Sequence, residues 1–187
     1  AHDSGSNRLN PRDGALAKAL NDYGLATLLI DLITGKEHRL EYFARGVRFD
    51  VELQSERLVE AIDWISSETE LADLPIGILG ASTGAAVALR AAAERPGKIA
   101  AVVCRGGRPE LAKAALQRVK APTLFIVGSA DDRVLQFNRQ SAAQLQCPHR
   151  IQVVQGASHL FDEPGKLDEV ARLAREWLLR HLGVALH

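Results

Sequence analysis

Short apolar runs alternate along this chain with longer amphipathic stretches, and that alternation limits its folds more than any other feature. The runs are Leu25–Ile30, Ile76–Leu79, Ile99–Val103, Thr123–Val127 and Ile151–Val154. They are mostly continuous and often β-branched, the pattern of strands covered on both faces of a sheet. Between them, Pro11–Asp22, Val51–Ile65, Thr83–Glu94 and Pro164–Leu182 read as helices. Asn10 is placed to cap the first, Pro11 takes its first helical position, and Gly24 lies just past its end. Thr83–Glu94 is rich in alanine, so it can approach a sheet closely, and Pro96-Gly97 ends it. In the last helix Leu167, Val170, Ala171, Ala174, Trp177 and Leu178 recur at core spacing, which assigns Trp177 to packing rather than to a cofactor. Strands alternating with helices predict an α/β fold: a mostly parallel sheet with helices on both faces. With no repeat and no linker, residues 1–187 read as a single domain. The longest unassigned stretch, Asp31–Asp50, carries Arg39, Arg45 and Arg48 and reads as a functional or mobile loop.

Composition removes several function classes. The 23 Lys+Arg balance 23 Asp+Glu, so the chain lacks the cationic surplus that phosphate neutralisation requires, and no nucleic-acid partner is expected. No apolar run approaches the ~20 residues of a bilayer span, so no membrane partner is expected either. Ala1–Ser6 has neither the basic nor the apolar region of a signal peptide. Cys104 and Cys147 are too few for a disulfide framework or a zinc cluster and read as buried thiols of a reducing compartment. A cytoplasmic location, no metal and no cofactor are the resulting expectations.

The strongest chemical signal is Gly80-Ala81-Ser82-Thr83-Gly84, G-x-S-x-G between a strand and a helix. Such a turn is tight enough that a Cβ at either glycine collides with its neighbours. It pushes the serine hydroxyl out at the C-terminal edge of the sheet and turns the Thr83 N–H toward a developing oxyanion. A serine nucleophile needs a base, and the base needs an orienting carboxylate. In this type of fold the two follow in the order acid, then histidine, each after a strand. Thr123–Val127 is followed by Gly128-Ser129-Ala130-Asp131-Asp132-Arg133-Val134, and Ile151–Val154 by Gln155-Gly156-Ala157-Ser158-His159. Asp131 or Asp132 is then the acid, the other serving as a helix cap, and His159 the base. Four further histidines, His38, His149, His181 and His187, have no such placement and read as solvated. Arg105 and Arg108 follow a strand on the edge that holds Ser82, and Arg8 and Arg12 follow the first loop. Paired arginines can clamp a substrate carboxylate or phosphate, and the alternative is ion pairing with acids such as Asp50 and Glu110.

These pieces together resemble the dienelactone-hydrolase-like branch of the α/β-hydrolases, over nearly the whole chain. The resemblance rests on His2–Ser6, Asn10-Pro11-Arg12, Leu25–Asp31, Arg48-Phe49-Asp50, Gly80–Ala85, Arg105-Gly106-Gly107-Arg108-Pro109 and Ala157–Phe161. It implies Ser82 as nucleophile, His159 as base and Asp131 as its partner, Asp131 being the aspartate that fits G-x-x-D-x-x-V. It also implies oxyanion donors at Thr83 and, in the first loop, Ser4. The enzymes that gave that family its name use a cysteine nucleophile, so the serine here leaves the substrate as a small ester, lactone or thioester. Asp3 stands where the family has glycine, which predicts a weakened Ser4 donor, since losing one oxyanion donor costs ~10²–10³ in rate. In the family His2 ends a central strand, so the chain is expected to be N-terminally incomplete, with no ladder between Leu25–Ile30 and Ile76–Leu79. The rival class is a non-catalytic binding protein on the same fold. A flavodoxin-like nucleotide binder is disfavoured by the absence of a glycine-rich phosphate loop after the first strand.

Overall fold

Four of the five apolar runs become strands of one parallel sheet. The computed structural model describes residues 1–2, 7–40, 46 and 50–183, with 38–40 described by backbone alone. In chain order the elements are α1 (Pro11–Asn21), α2 (Gly35–Leu40), α3 (Val51–Ser67), β1 (Ile76–Ala81), α4 (Thr83–Glu94) and β2 (Ile99–Arg105). A 3₁₀ segment (Pro109–Arg118), β3 (Thr123–Gly128), α5 (Asp132–Ala142), β4 (His149–Val154) and α6 (Lys166–Leu182) follow. The strands lie in the order β1-β2-β3-β4, all parallel, so every strand's C-terminus reaches the same edge.

Successive side chains of a strand point to opposite faces, and both faces here are apolar. Val102, Cys104 and Phe125 pack with Leu58 and Ile62 of α3 and with the alanines of α4. Ala101, Val103, Leu124 and Ile126 pack with Leu16 and Leu20 of α1 and with Val170, Ala174 and Leu178 of α6. The α/β architecture expected from the sequence, a parallel sheet between helical layers, is the one observed.

The fifth run is different. Leu25–Ile30 joins no sheet, and Leu28 and Leu29 are exposed. A β-type sequence supplies propensity but no partner, and strands are held by cross-strand pairing. On its outer side β1 bonds Ala1 instead. The Ala1 nitrogen donates to Leu79 O at 2.7 Å, and Ala81 N–H donates to Ala1 O at 3.0 Å. Other boundaries also shift. Asn10 caps α1 as expected, its side chain accepting from Arg12 N–H at 2.9 Å. The last helix begins at Lys166, after Gly165 in a left-handed conformation, rather than at Pro164. His181 is half-buried rather than fully solvated: its ring lies 4.4 Å from that of Trp177, and burial lowers its pKa.

Within 31–50 Leu32, Thr34 and Glu37 are held by polar contacts, while Arg45, Arg48 and the Arg39 side chain lie outside the described residues. Leu32 N–H donates to the buried His2 Nε2 at 2.9 Å, and Leu32 O accepts from Arg57 Nη1 at 2.7 Å. Arg57 also forks onto Glu37, at 2.9 and 2.6 Å. The Arg57 guanidinium, helped by the Thr34 N–H, holds the Glu37 carboxyl down from 4.5 to about 2. A depressed carboxyl stabilises the fold fully above its unfolded pKa and loses that effect as pH falls through its folded pKa. Glu37→Gln is therefore expected to lower stability by about 1.5–3 kcal/mol at neutral pH, the range for hydrogen bonds to charged groups. The gap to the native protein should shrink as pH falls from 4.5 toward 2, as read from urea midpoints across that window.

Candidate active site

Ser82 is the hinge between β1 and α4, at φ 50°, ψ −119°. A non-glycine residue in that region stores about 1–3 kcal/mol of strain and persists only where its surroundings enforce it. They do so here. Ser82 N–H donates to Arg105 O at 3.0 Å, and Ser82 O accepts from Ala85 and Arg108 N–H at 3.1 and 2.9 Å. The flanking glycines let the backbones close in. A Cβ at Gly80 would lie 2.3 Å from Gly84 O, and one at Gly84 would lie 2.5 Å from the carbonyl oxygens of Ala1 and His2. Both collisions are with backbone, so neither site has room for a side chain. Thr83, the first residue of α4, is buried.

Two strands away, a second pair is mounted just as firmly. His159 Nδ1 lies 2.7 Å from Asp131 Oδ2, and Asp132 is the exposed first residue of α5. With a carboxylate as acceptor, Nδ1 is the donor, which leaves Nε2 to take a proton. The loops carrying the two residues are zipped together. Ser129 N–H donates to Val154 O at 3.0 Å, Ala130 N–H to Ala157 O at 3.0 Å, and Gly156 N–H to Ser129 Oγ at 2.8 Å. A Cβ at Gly128 would strike Ala157 O at 2.3 Å, so glycine at the end of β3 is what admits the histidine loop.

The turn Gly106–Arg108 after β2 stands between these halves. On one side Arg108 N–H holds Ser82 O. On the other, a Cβ built on Gly106 would come within 3.1 Å of His159 O and 3.6 Å of His159 Cε1. Ser82 and the Asp131–His159 pair thus all lie at the C-terminal edge of the sheet, where open α/β sheets bind ligands. Ser4 and Asp3 lie outside the described residues.

Arg105 does not face this edge as a free cation. It is 6 % exposed and ion-paired at 2.9 Å with Asp13, itself 12 % exposed, because a buried guanidinium needs a carboxylate beside it. Arg108 pairs with Glu110 and lies 5.1 Å from the Phe137 ring centroid. Arg8 donates to Asp31 through both its backbone N–H and its guanidinium, and Arg12 reaches Asp162 at 3.2 Å. All four arginines of the expected anion cluster therefore have carboxylate partners within the chain. Sequence reasoning missed Asp13 and Asn138. Asp13 gives no local signal, being 92 residues from its partner. Asn138 had one: it is polar on a face shared with Val134, Leu135 and Ala142. Among the described residues no group of three or more His, Cys, Asp or Glu could hold a metal ion, and no helix is long and apolar enough to cross a membrane.

The profile of the dienelactone hydrolase family matches residues 24–182. A solved dienelactone hydrolase from Anabaena variabilis is 50 % identical with a TM-score of 0.94, over 97 % of this chain and 84 % of that one. Est1E from Butyrivibrio proteoclasticus, solved with ferulic acid bound, shares the fold at a TM-score of 0.79 and 17 % identity, over 97 % of this chain and 87 % of its own. Proteins from two strains of Mycobacterium tuberculosis, each named "putative phosphoribosyl transferase", are 46 % identical over 182 residues, 97 % of this chain. The chain spans 40 % of the length of those curated relatives.

Proposed function

Because the chain belongs to the dienelactone hydrolase family, we propose that it is a serine hydrolase, cleaving a small ester, lactone or thioester through an acyl-enzyme. The observation that carries this reading is Ser82 in its strained turn, with the Asp131–His159 pair fixed at the same sheet edge. In the proposed mechanism Ser82 Oγ attacks the substrate carbonyl carbon while His159 Nε2 takes the hydroxyl proton. The carbonyl electron pair becomes an oxyanion, stabilised by the Thr83 N–H at the positive end of α4 and by a first-loop N–H at Ser4. Collapse breaks the bond to the leaving alkoxide or thiolate, which receives the proton from Nε2. Water, deprotonated by the same nitrogen, attacks the acyl carbon and releases the acid, and Ser82 recovers its proton. Asp131 keeps Nδ1 protonated and stabilises the imidazolium throughout.

Cys104 supports serine as the nucleophile, since it is wholly buried in β2 and burial pushes its thiol far up, so it supplies no thiolate. The hydrolase profile covers residues 24–182, most of the stretch shared with the mycobacterial relatives, which favours the hydrolase reading over their transferase name. A fluorophosphonate probe followed by peptide mass analysis tests the proposal. The expected result is one adduct on the Ser82 peptide, formed far more slowly in His159→Ala, together with turnover of nitrophenyl acetate or a simple lactone. A chain that binds such esters with no adduct and no turnover would be the non-catalytic binding protein instead.

A further inference from the structure

Asn138 is wholly buried on α5, on a face with Val134, Leu135, Ser141 and Ala142, and its amide is split. Its Nδ2 donates to Val134 O at 2.7 Å, within the helix, and to Gly107 O at 2.8 Å, outside it. Its Oδ1 is buried with no hydrogen-bond partner among the described residues. A buried amide oxygen without a partner is destabilising, and leucine would avoid that cost at a core position. The asparagine therefore fits here through what Nδ2 reaches.

Nδ2 reaches the turn that touches the other two members of the site. Gly107 lies between Gly106, which abuts His159, and Arg108, whose N–H holds Ser82 O. Asn138 itself stands on the helix whose N-cap is Asp131. One side chain thus ties the element bearing the acid to the turn that contacts nucleophile and base. The geometry points to Asn138 as a positioning residue, which fixes the Asp131 helix relative to Ser82 and keeps the His159 ring seated between them. This inference rests on the serine hydrolase reading for its kinetic consequence. Its geometric consequence, the seating of His159 on Asp131, stands apart from that reading.

Two variants of the full chain test it. Asn138→Ser keeps a hydroxyl able to bond back to Val134 O but too short to reach Gly107. Asn138→Asp keeps the shape and loses the donors. Each is assayed for melting temperature, for kcat and KM on an activated ester, and by ¹⁵N spectra of histidine-labelled protein, which read the tautomer of each ring. The expected result is a cooperatively folded protein with kcat reduced about 10–100-fold and KM within about twofold, the mark of a misplaced reacting group. In the same variants the His159 Nδ1 signal should move from the N–H toward the unprotonated position, while the other histidines stay fixed. Native kcat per folded molecule with an unchanged His159 signal would overturn the inference, as would failure of both variants to fold, which would make Asn138 a core residue only. If the native chain shows no Ser82-dependent hydrolysis, the hydrolase reading fails, and the His159 signal alone decides the positioning role.

Discussion

Ser82→Ala is expected to lower kcat for ester hydrolysis by about 10⁴-fold or more. In the proposed mechanism nucleophile, base and acid act as one unit, so losing the attacking atom forfeits nearly all that the unit supplies. What survives is the contribution of the oxyanion donors and of substrate binding. The fold should not change, because alanine has nearly serine's size and the Ser82 backbone is held by its own N–H and C=O bonds to Arg105, Ala85 and Arg108. Ser82→Gly makes the complementary point. Glycine adopts φ 50° without penalty, so this variant is expected to be equally inactive but about 1 kcal/mol more stable than Ser82→Ala. Steady-state kinetics with urea denaturation measure both. Hydrolysis at a tenth of the native rate in either variant would place the chemistry elsewhere.

The second large effect lies beneath the site. Asp13→Ala leaves the Arg105 guanidinium, 6 % exposed, beside no carboxylate from α1. Breaking a buried pair from one side typically costs about 3–5 kcal/mol, since the remaining charge stays desolvated. That is a large part of a domain's ~5–15 kcal/mol. Activity should fall as well, because Arg105 O is the acceptor for Ser82 N–H. The double change Asp13→Leu with Arg105→Met is expected to regain most of the loss, since an intact buried pair is worth little more than well-packed apolar side chains. Urea denaturation of both variants measures this. A single variant within 1 kcal/mol of the native protein would show the pair to be dispensable.

The sequence made the centre of the site legible because its physics is local. Gly80 and Gly84 flank Ser82 within one turn; the crowding at Gly80 comes from the adjoining helix, whereas that at Gly84, from the Ala1 and His2 carbonyls, is set by the fold. Asp131 and His159 were found from their positions after strands, which chain order alone supplies. Leu25–Ile30 shows the limit: its residues have the composition of a buried strand, but composition does not say whether a neighbour bonds it. Asp13 and Arg105 show another. Each is an ordinary charged residue until the fold brings them together inside, and the arginine that read as facing a ligand turns inward. Asn138 lay between these cases, visible as a polar residue on a mostly apolar helix face but mute about the loop it holds.

The strands lie in the sheet in the order in which they occur in the chain. Each new strand docks on the one just made, so a nascent polypeptide can extend this sheet steadily from one side as it emerges during synthesis. The Ser82 turn is held by bonds from β2 and the turn after it, and so can be set once Arg108 is in place. Asp131 arrives next, and His159 only after β4 has joined the far edge. The Asp131–His159 pair is therefore completed only once β4 has docked, and a chain interrupted before that point would carry a formed serine turn without its proposed base.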